Sequence, residues 1–149
     1  MTNIEAAAMF IELADLLDLA GELPFKSASY RKVARSLGEL SEPFGQIISA
    51  GNFHQIDGAG KAIREKLTAM ALTGKLPALE KWRQHKAAGF YEALKRYQVK
   101  PRPLGALIKK CEARDIKDLL EKIDKHGIDS FTGQMRETAI KIKEVEDND

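Results

Sequence analysis

Apolar positions recur along the chain at helical spacing, and no strand-like alternation persists. The first run, Ile4 to Ala20, sets Ile4, Ala7, Phe10, Ile11, Ala14 and Leu17 on a broad apolar face. Glu5, Glu12, Asp15 and Glu22 fall on the other side. Thr2 and Glu5 have the spacing of a capping box at its start. Gly21 and Pro24 break the pattern. A second helix is predicted over Ser27–Leu37, with Tyr30, Val33, Ala34 and Leu37 facing inward. Ser41-Glu42-Pro43 starts a short helix over Pro43–Ala50, which Gly51-Asn52 ends. A helix from Lys61 to Leu72 is closed by Gly74. Further helices are predicted over 76–86, 89–97, 103–112, 115–126 and 133–144, with a fraying acidic tail at Glu146–Asp149. The expected fold class is therefore all-α, a compact multi-helix arrangement.

Between the third and fourth predicted helices lies Ile56-Asp57-Gly58-Ala59-Gly60. Two glycines open backbone conformations closed to other residues, and their bare Cα atoms let a phosphate approach the main chain. The unpaired N–H groups that begin the next helix would point at that anion. Such a bend grips a nucleic-acid backbone without reading bases. The same two glycines also suit a plain turn between packed helices.

Charge is distributed unevenly. Residues 1–24 hold five acids and no Lys or Arg, whereas residues 75–111 hold ten bases against Glu80 and Glu92. Residues 25–74 carry seven bases against four acids, and residues 112–149 seven against eleven. A basic middle suggests a polyanion partner, or else a solvated helical face. No apolar run approaches the roughly 20 residues that span a bilayer, so no membrane association is expected. No basic stretch precedes an apolar one at the N-terminus, so no secretory signal is expected either. Cys111 is the only cysteine, which excludes a disulfide framework. His54, His85 and His126 lack the spacing of zinc ligands. Trp82, Phe90, Tyr91 and Tyr97 are expected in the core rather than stacked on bases. Asp115, Asp118, Glu121 and Asp124, interleaved with lysines, suggest one solvated acidic face.

Taken together, Ile56-Asp-Gly-Ala-Gly-Lys-Ala-Ile-Arg-Glu-Lys-Leu67, the Leu72-Thr-Gly-Lys-Leu76 that follows, and Pro24-Phe-Lys-Ser-Ala-Ser-Tyr-Arg-Lys-Val-Ala34 resemble the N-terminal domain of family X DNA polymerases. The likeness covers residues 4–81 and makes 56–67 a helix-hairpin-helix. It implies binding of gapped DNA at a 5′-phosphate and, as some members have it, 5′-deoxyribose-phosphate lyase activity. The Schiff-base lysine of that family falls on Lys66, its active-site tyrosine on Tyr30, the acid beside the nucleophile on Glu65, and a phosphate-binding lysine on Lys26. Carbonyls that hold a monovalent cation, sodium or potassium, would belong to His54, Ile56 and Ala59. Two positions depart: a DNA-supporting histidine is Phe25, and another phosphate-binding lysine is Ala62, with Lys61 next to it. Nothing resembles the polymerase palm with its three aspartates, so no polymerase activity is expected.

Helix geometry bears on Lys66 independently. Ile63, Leu67 and Met70 define a buried stripe, with Lys66 at its edge and Lys61 and Arg64 pointing outward. An edge lysine is partly withdrawn from water, which suits an amine nucleophile toward an aldehyde. It equally suits a stem that covers apolar surface. Val99-Lys-Pro101-Arg-Pro103-Leu-Gly-Ala-Leu-Ile108 aligns with a second, degenerate hairpin, in which prolines take the glycine positions. Phe131-Thr-Gly133 is a weaker third.

The expectation is a DNA polymerase beta-like helical domain over 1–86 and a smaller subdomain over 87–149, with a degenerate hairpin near 99–110. DNA contacts are expected from Lys26, Arg31, Lys32, Arg35, Gly58, Gly60, Lys61, Arg64, Arg102, Lys109 and Lys110. The expected function is sequence-independent DNA binding at ends, nicks or gaps in repair or replication. The alternatives are lyase chemistry, or a protein-interaction domain without DNA binding. A cytoplasmic, nucleoid-associated location is expected, with no cofactor required beyond the cation.

Overall fold

A computed structural model describes residues 1–149. It is all-helical, with nine α-helices in chain order. These are α1 (Asn3–Leu19), α2 (Pro24–Glu39), α3 (Phe44–Ser49), α4 (Lys61–Thr73), α5 (Pro77–Arg83), α6 (Tyr91–Tyr97), α7 (Pro101–Cys111), α8 (Ile116–His126) and α9 (Gly133–Asp147). Short 3-10 turns at Phe53–Gln55, Lys86–Phe90 and Ile128–Ser130 connect some of them. No helix is long and apolar enough to cross a membrane.

The chain divides into two units. The first comprises Met1–Ala14 and Leu23–Gln84, and the second Asp15–Glu22 and His85–Asp149. Helix α1 thus gives residues 3–14 to one unit and 15–19 to the other.

The capping box at the start of α1 is formed: Glu5 N–H donates to Thr2 Oγ1 at 3.1 Å and Thr2 N–H to Glu5 Oε2 at 3.3 Å. The buried stripe differs from the one expected. Ala6, Phe10, Leu13, Ala14 and Leu17 are buried, while Ile4 is 78% exposed and Ile11 41%. Ile4 and Ile11 lie about 115–135° around the helix from the stripe's centre, beyond what one packed face covers. Further along, Leu16, Leu17, Asp18 and Leu19 are buried in succession, so this end of α1 is enclosed on every side.

In the first unit, Phe10, Leu13, Val33, Leu37, Phe44, Ile47, Leu67, Met70 and Leu79 form the core. Helix α2 begins at Pro24, earlier than the periodicity predicted, because proline at the first helical position gives up an N–H that has no helical acceptor there. Helix α4 ends where expected, on Gly74 in the left-handed conformation (φ +71°).

In the second unit, α7 also starts earlier than predicted, with Lys100 as N-cap and Pro101 and Pro103 in its first turn. The two prolines are therefore a helix start, where missing N–H groups cost little. A Cβ added at Gly105 would lie 2.4 Å from the Leu19 carbonyl oxygen, so α7 crosses α1 at backbone contact. Asp118 is not on a solvated face, as expected, but buried. Its Oδ2 accepts from Arg114 N–H at 2.9 Å and Lys122 Nζ at 3.0 Å. Phe90 and Tyr97 are core residues and Trp82 and Tyr91 half-buried.

Candidate nucleic-acid interface

The segment joining the 3-10 turn Phe53–Gln55 to α4 is held by a few specific contacts. Ile56 is buried and anchors it. A turn follows, in which Ala59 N–H donates to the Ile56 carbonyl at 3.3 Å with Gly58 at φ +81°. That φ at the third position of the turn favours glycine. Space adds a second reason: a Cβ at Gly58 would meet Lys32 Cδ at 3.3 Å and Val33 Cγ2 at 3.4 Å. The stem of Lys32 therefore lies along the bend. One turn on in α2, the Ser36 hydroxyl accepts from Asp57 N–H at 2.9 Å. Gly60 N–H closes back on the Gly58 carbonyl at 3.0 Å, and Gly60 then serves as N-cap of α4.

The remaining donors matter most. Arg64 N–H makes the first helical bond of α4, to the Gly60 carbonyl at 2.9 Å. No side chain caps this end. The N–H groups of Gly58, Lys61, Ala62 and Ile63 have no acceptor within the chain. Asp57, Gly58, Gly60, Lys61 and Ala62 are all exposed. The bend is thus pinned from behind by Ser36 and Lys32 and open in front.

Side chains of α2 and α4 meet beside it. Lys66 Nζ sits 5.8 Å from the centroid of the Tyr30 ring. Tyr30 in turn stacks on Phe10 at 5.8 Å with the planes 28° apart. Lys26 precedes Tyr30 by one turn on the same side of α2. Lys66 is half-buried, as its edge position predicted. Glu65 is exposed and one helical step away, in a shallow groove with Lys61, Thr68, Ala69 and Leu72.

Over residues 1–76 the chain matches the model of a helix-hairpin-helix domain. It belongs to that family. None of the curated proteins matches it. The helix-hairpin-helix family points to nucleic-acid binding, and to DNA in general terms. In this domain residues 56–60 form the bend, which leads from the 3-10 turn Phe53–Gln55 into α4.

The cations expected to meet DNA divide into two groups. Around the helix-hairpin-helix, Lys26, Lys32, Arg35 and Lys61 are exposed and none has a carboxylate partner. Arg31 is half-buried. Arg64 is exposed, but its Nε donates to the Ala59 carbonyl at 2.8 Å and its guanidinium lies over the Phe53 ring.

Arg102, in the second unit, is engaged within the protein rather than turned toward a partner. Its Nη2 donates to Asp18 Oδ1 at 2.6 Å and to the Glu22 carbonyl at 2.7 Å. Lys110 reaches the Ser130 carbonyl at 3.4 Å and lies over the Phe131 ring, while Lys109 is exposed. Ser36 and Phe53 were not singled out by sequence reasoning. For Ser36 the available signal was a small polar residue on the inward side of α2, beside Val33 and Leu37.

Proposed function

We propose that the chain binds duplex DNA at ends, nicks or gaps, gripping one sugar-phosphate strand without reading its sequence. One observation carries this reading. Acceptor-less N–H groups at the exposed residues Gly58, Lys61 and Ala62 stand in the same helix-hairpin-helix domain as cations at Lys26, Lys32, Arg35 and Lys61 that no carboxylate neutralises. Phosphate oxygens satisfy such donors, and nearby cations release counterions when they meet them. The resemblance to family X N-terminal domains supports a 5′-phosphate in a gap as the preferred feature and repair or replication as the setting. Titration of a gapped duplex against an intact one across a salt series tests it. The expected log–log slope is about −3 to −4, for three to four phosphate contacts. No binding at low salt to any duplex would leave a protein-interaction domain as the better reading.

A second reading is favoured by the Lys66–Tyr30 approach. Lys66 Nζ would attack C1′ of a 5′-deoxyribose phosphate, lose water to form a Schiff base, and draw electrons as a C2′ proton leaves. The C3′–O bond then breaks, the 3′ phosphate departs with its strand, and water hydrolyses the imine to restore the amine. Tyr30 lies beside the amine and is placed to orient it; Glu65, in its separate groove, is less well placed to take the proton. Borohydride in the presence of an incised abasic site should trap a covalent adduct that Lys66→Ala loses. Absence of any adduct from the wild-type protein removes the lyase and leaves the binding reading intact.

A further inference from the structure

We infer that Arg64 acts as the hairpin's own built-in cation, so that its grip on DNA requires neither sodium nor potassium; the inference rests on the DNA-binding reading above. The family resemblance would give the carbonyls of His54, Ile56 and Ala59 to a monovalent ion, and the geometry of these residues does not fit one. The Ala59 carbonyl accepts from Arg64 Nε at 2.8 Å. The Ile56 carbonyl accepts from Ala59 N–H at 3.3 Å. An ion seated on the Ala59 oxygen would share that oxygen with a guanidinium, two like charges on one acceptor.

Arg64 is well placed for the role. It is the fourth residue of α4, and side chains in a helix lean toward its N-terminus, here back over the bend. The guanidinium carbon sits 5.1 Å from the centroid of the Phe53 ring, on the chain that enters the hairpin. One side chain therefore joins the incoming turn, the bend and the outgoing helix. Arg64 remains exposed, so its other nitrogens add positive potential beside the open N–H groups of Gly58 and Lys61. Arg64 is on this account a positioning residue that substitutes for a soluble ion.

The test uses the full chain and a gapped duplex in KCl, NaCl and N-methylglucamine chloride at one ionic strength. The wild-type Kd is expected to agree across the three salts within about twofold. Arg64→Ala is expected to bind about tenfold more weakly and to recover part of the loss in KCl or NaCl only. Arg64→Lys, which keeps the charge but not the planar fork, should fall between them. A wild-type Kd tenfold or more tighter in either alkali salt, by the same conversion, would overturn the inference. A DNA-free measurement separates the two readings: the 23Na line width of the wild-type chain. The expected result is no broadening that added potassium reverses, and potassium-reversible broadening would sink the inference. Failure to bind DNA in any salt removes the proposed function alone, because the sodium measurement still decides whether the hairpin holds an ion.

Discussion

The cations beside the hairpin and the arginines of residues 83–102 have the same formal charge and opposite surroundings. Lys26, Lys32, Arg35 and Lys61 stand in water without a carboxylate partner. Arg83 is held bidentately by Glu12 at 2.6 and 2.8 Å. Arg96 meets Glu146 at 3.0 Å and Asp149 at 2.7 Å, and Arg102 meets Asp18 at 2.6 Å. The acidic first and last helices, which make the chain's charge look segregated, fold back and neutralise the arginines of its middle. Linear charge density therefore overstated the contribution of the arginines of residues 75–111, while the seven lysines of that segment remain exposed. What attracts a polyanion is charge left unpaired after folding, and beside the hairpin such charge stands next to N–H groups that have no acceptor in the chain.

Reversing charge on one side alone separates the free cations from the neutralised ones. Lys26→Glu with Lys61→Glu should weaken binding to gapped DNA by about 100-fold and flatten the salt slope by about two, with little change in unfolding. Arg83→Glu should leave the DNA affinity close to wild type. If the Arg83 variant lost as much affinity as the lysine pair, the division between free and neutralised cations would be wrong. Fluorescence anisotropy across a salt series reads both.

The two hairpin glycines are held to different requirements. Gly58 is required by the fold, through its φ of +81° and the Lys32 and Val33 atoms behind it. Gly60 has φ −73° and nothing within 4 Å of an added Cβ, so the fold alone does not demand glycine there. Gly58→Ala should cost about 1–3 kcal/mol of stability, from left-handed strain and crowding. Gly60→Ala should fold within about 1 kcal/mol of wild type, since glycine and alanine differ modestly at an N-cap. It should nevertheless bind DNA about tenfold more weakly, because a methyl group would hold the phosphate away. Urea unfolding beside the same anisotropy assay separates the two effects. A Gly60→Ala protein with unchanged affinity would show that the strand does not pass over this Cα.

The helical periods and their glycine and proline breaks were legible in the sequence because each is a local property of the chain. The turn over Gly58, the closure of α4 on Gly74 and the edge position of Lys66 all follow from neighbours within a few residues. The misread features depend on partners far along the chain. Ile4 and Ile11 look like core until the true stripe through Phe10 and Leu13 is fixed by what packs on it. Asp118 reads as one more acid on a charged helix, yet folding places Arg114 N–H and Lys122 on its carboxylate. Arg102 reads as a DNA contact, whereas its acceptors lie 84 and 80 residues away. Apart from the capping-box start of α1 and the helix-stop glycines, hydrogen-bond partners were the least legible layer. Ser36 behind Asp57 is the example that bears on the candidate site.

On the neutralised side of the comparison, Arg102→Ala should destabilise the chain by about 1–3 kcal/mol. It strips a charged donor from a buried carboxylate and from the Glu22 carbonyl. DNA affinity measured well below the new unfolding midpoint should stay within about twofold of wild type, since the lost charge was already paired. Lys109→Ala makes a useful contrast, because it removes an exposed charge in the same helix at little cost in stability.

The smallest expected effect is a pH dependence confined to the neutralised side. The Arg114 N–H bond, with Lys122, holds the Asp118 carboxyl below its ordinary value. The Tyr97 hydroxyl, with Arg96, does the same for Glu146. A carboxyl whose folded pKa is depressed adds stability that is complete above the unfolded value, around pH 4, and fades as the pH falls through the folded one. Stability should therefore be flat from pH 7 to about pH 5 and decline below pH 4. Asp118→Asn with Glu146→Gln should flatten part of that decline while lowering stability at pH 7. Neither carboxyl lies at the hairpin, so DNA affinity per folded molecule should not follow the same curve. Parallel loss of affinity and stability between pH 7 and pH 5, where neither carboxyl has begun to protonate, would show that the neutralised carboxylates and the hairpin do not act separately.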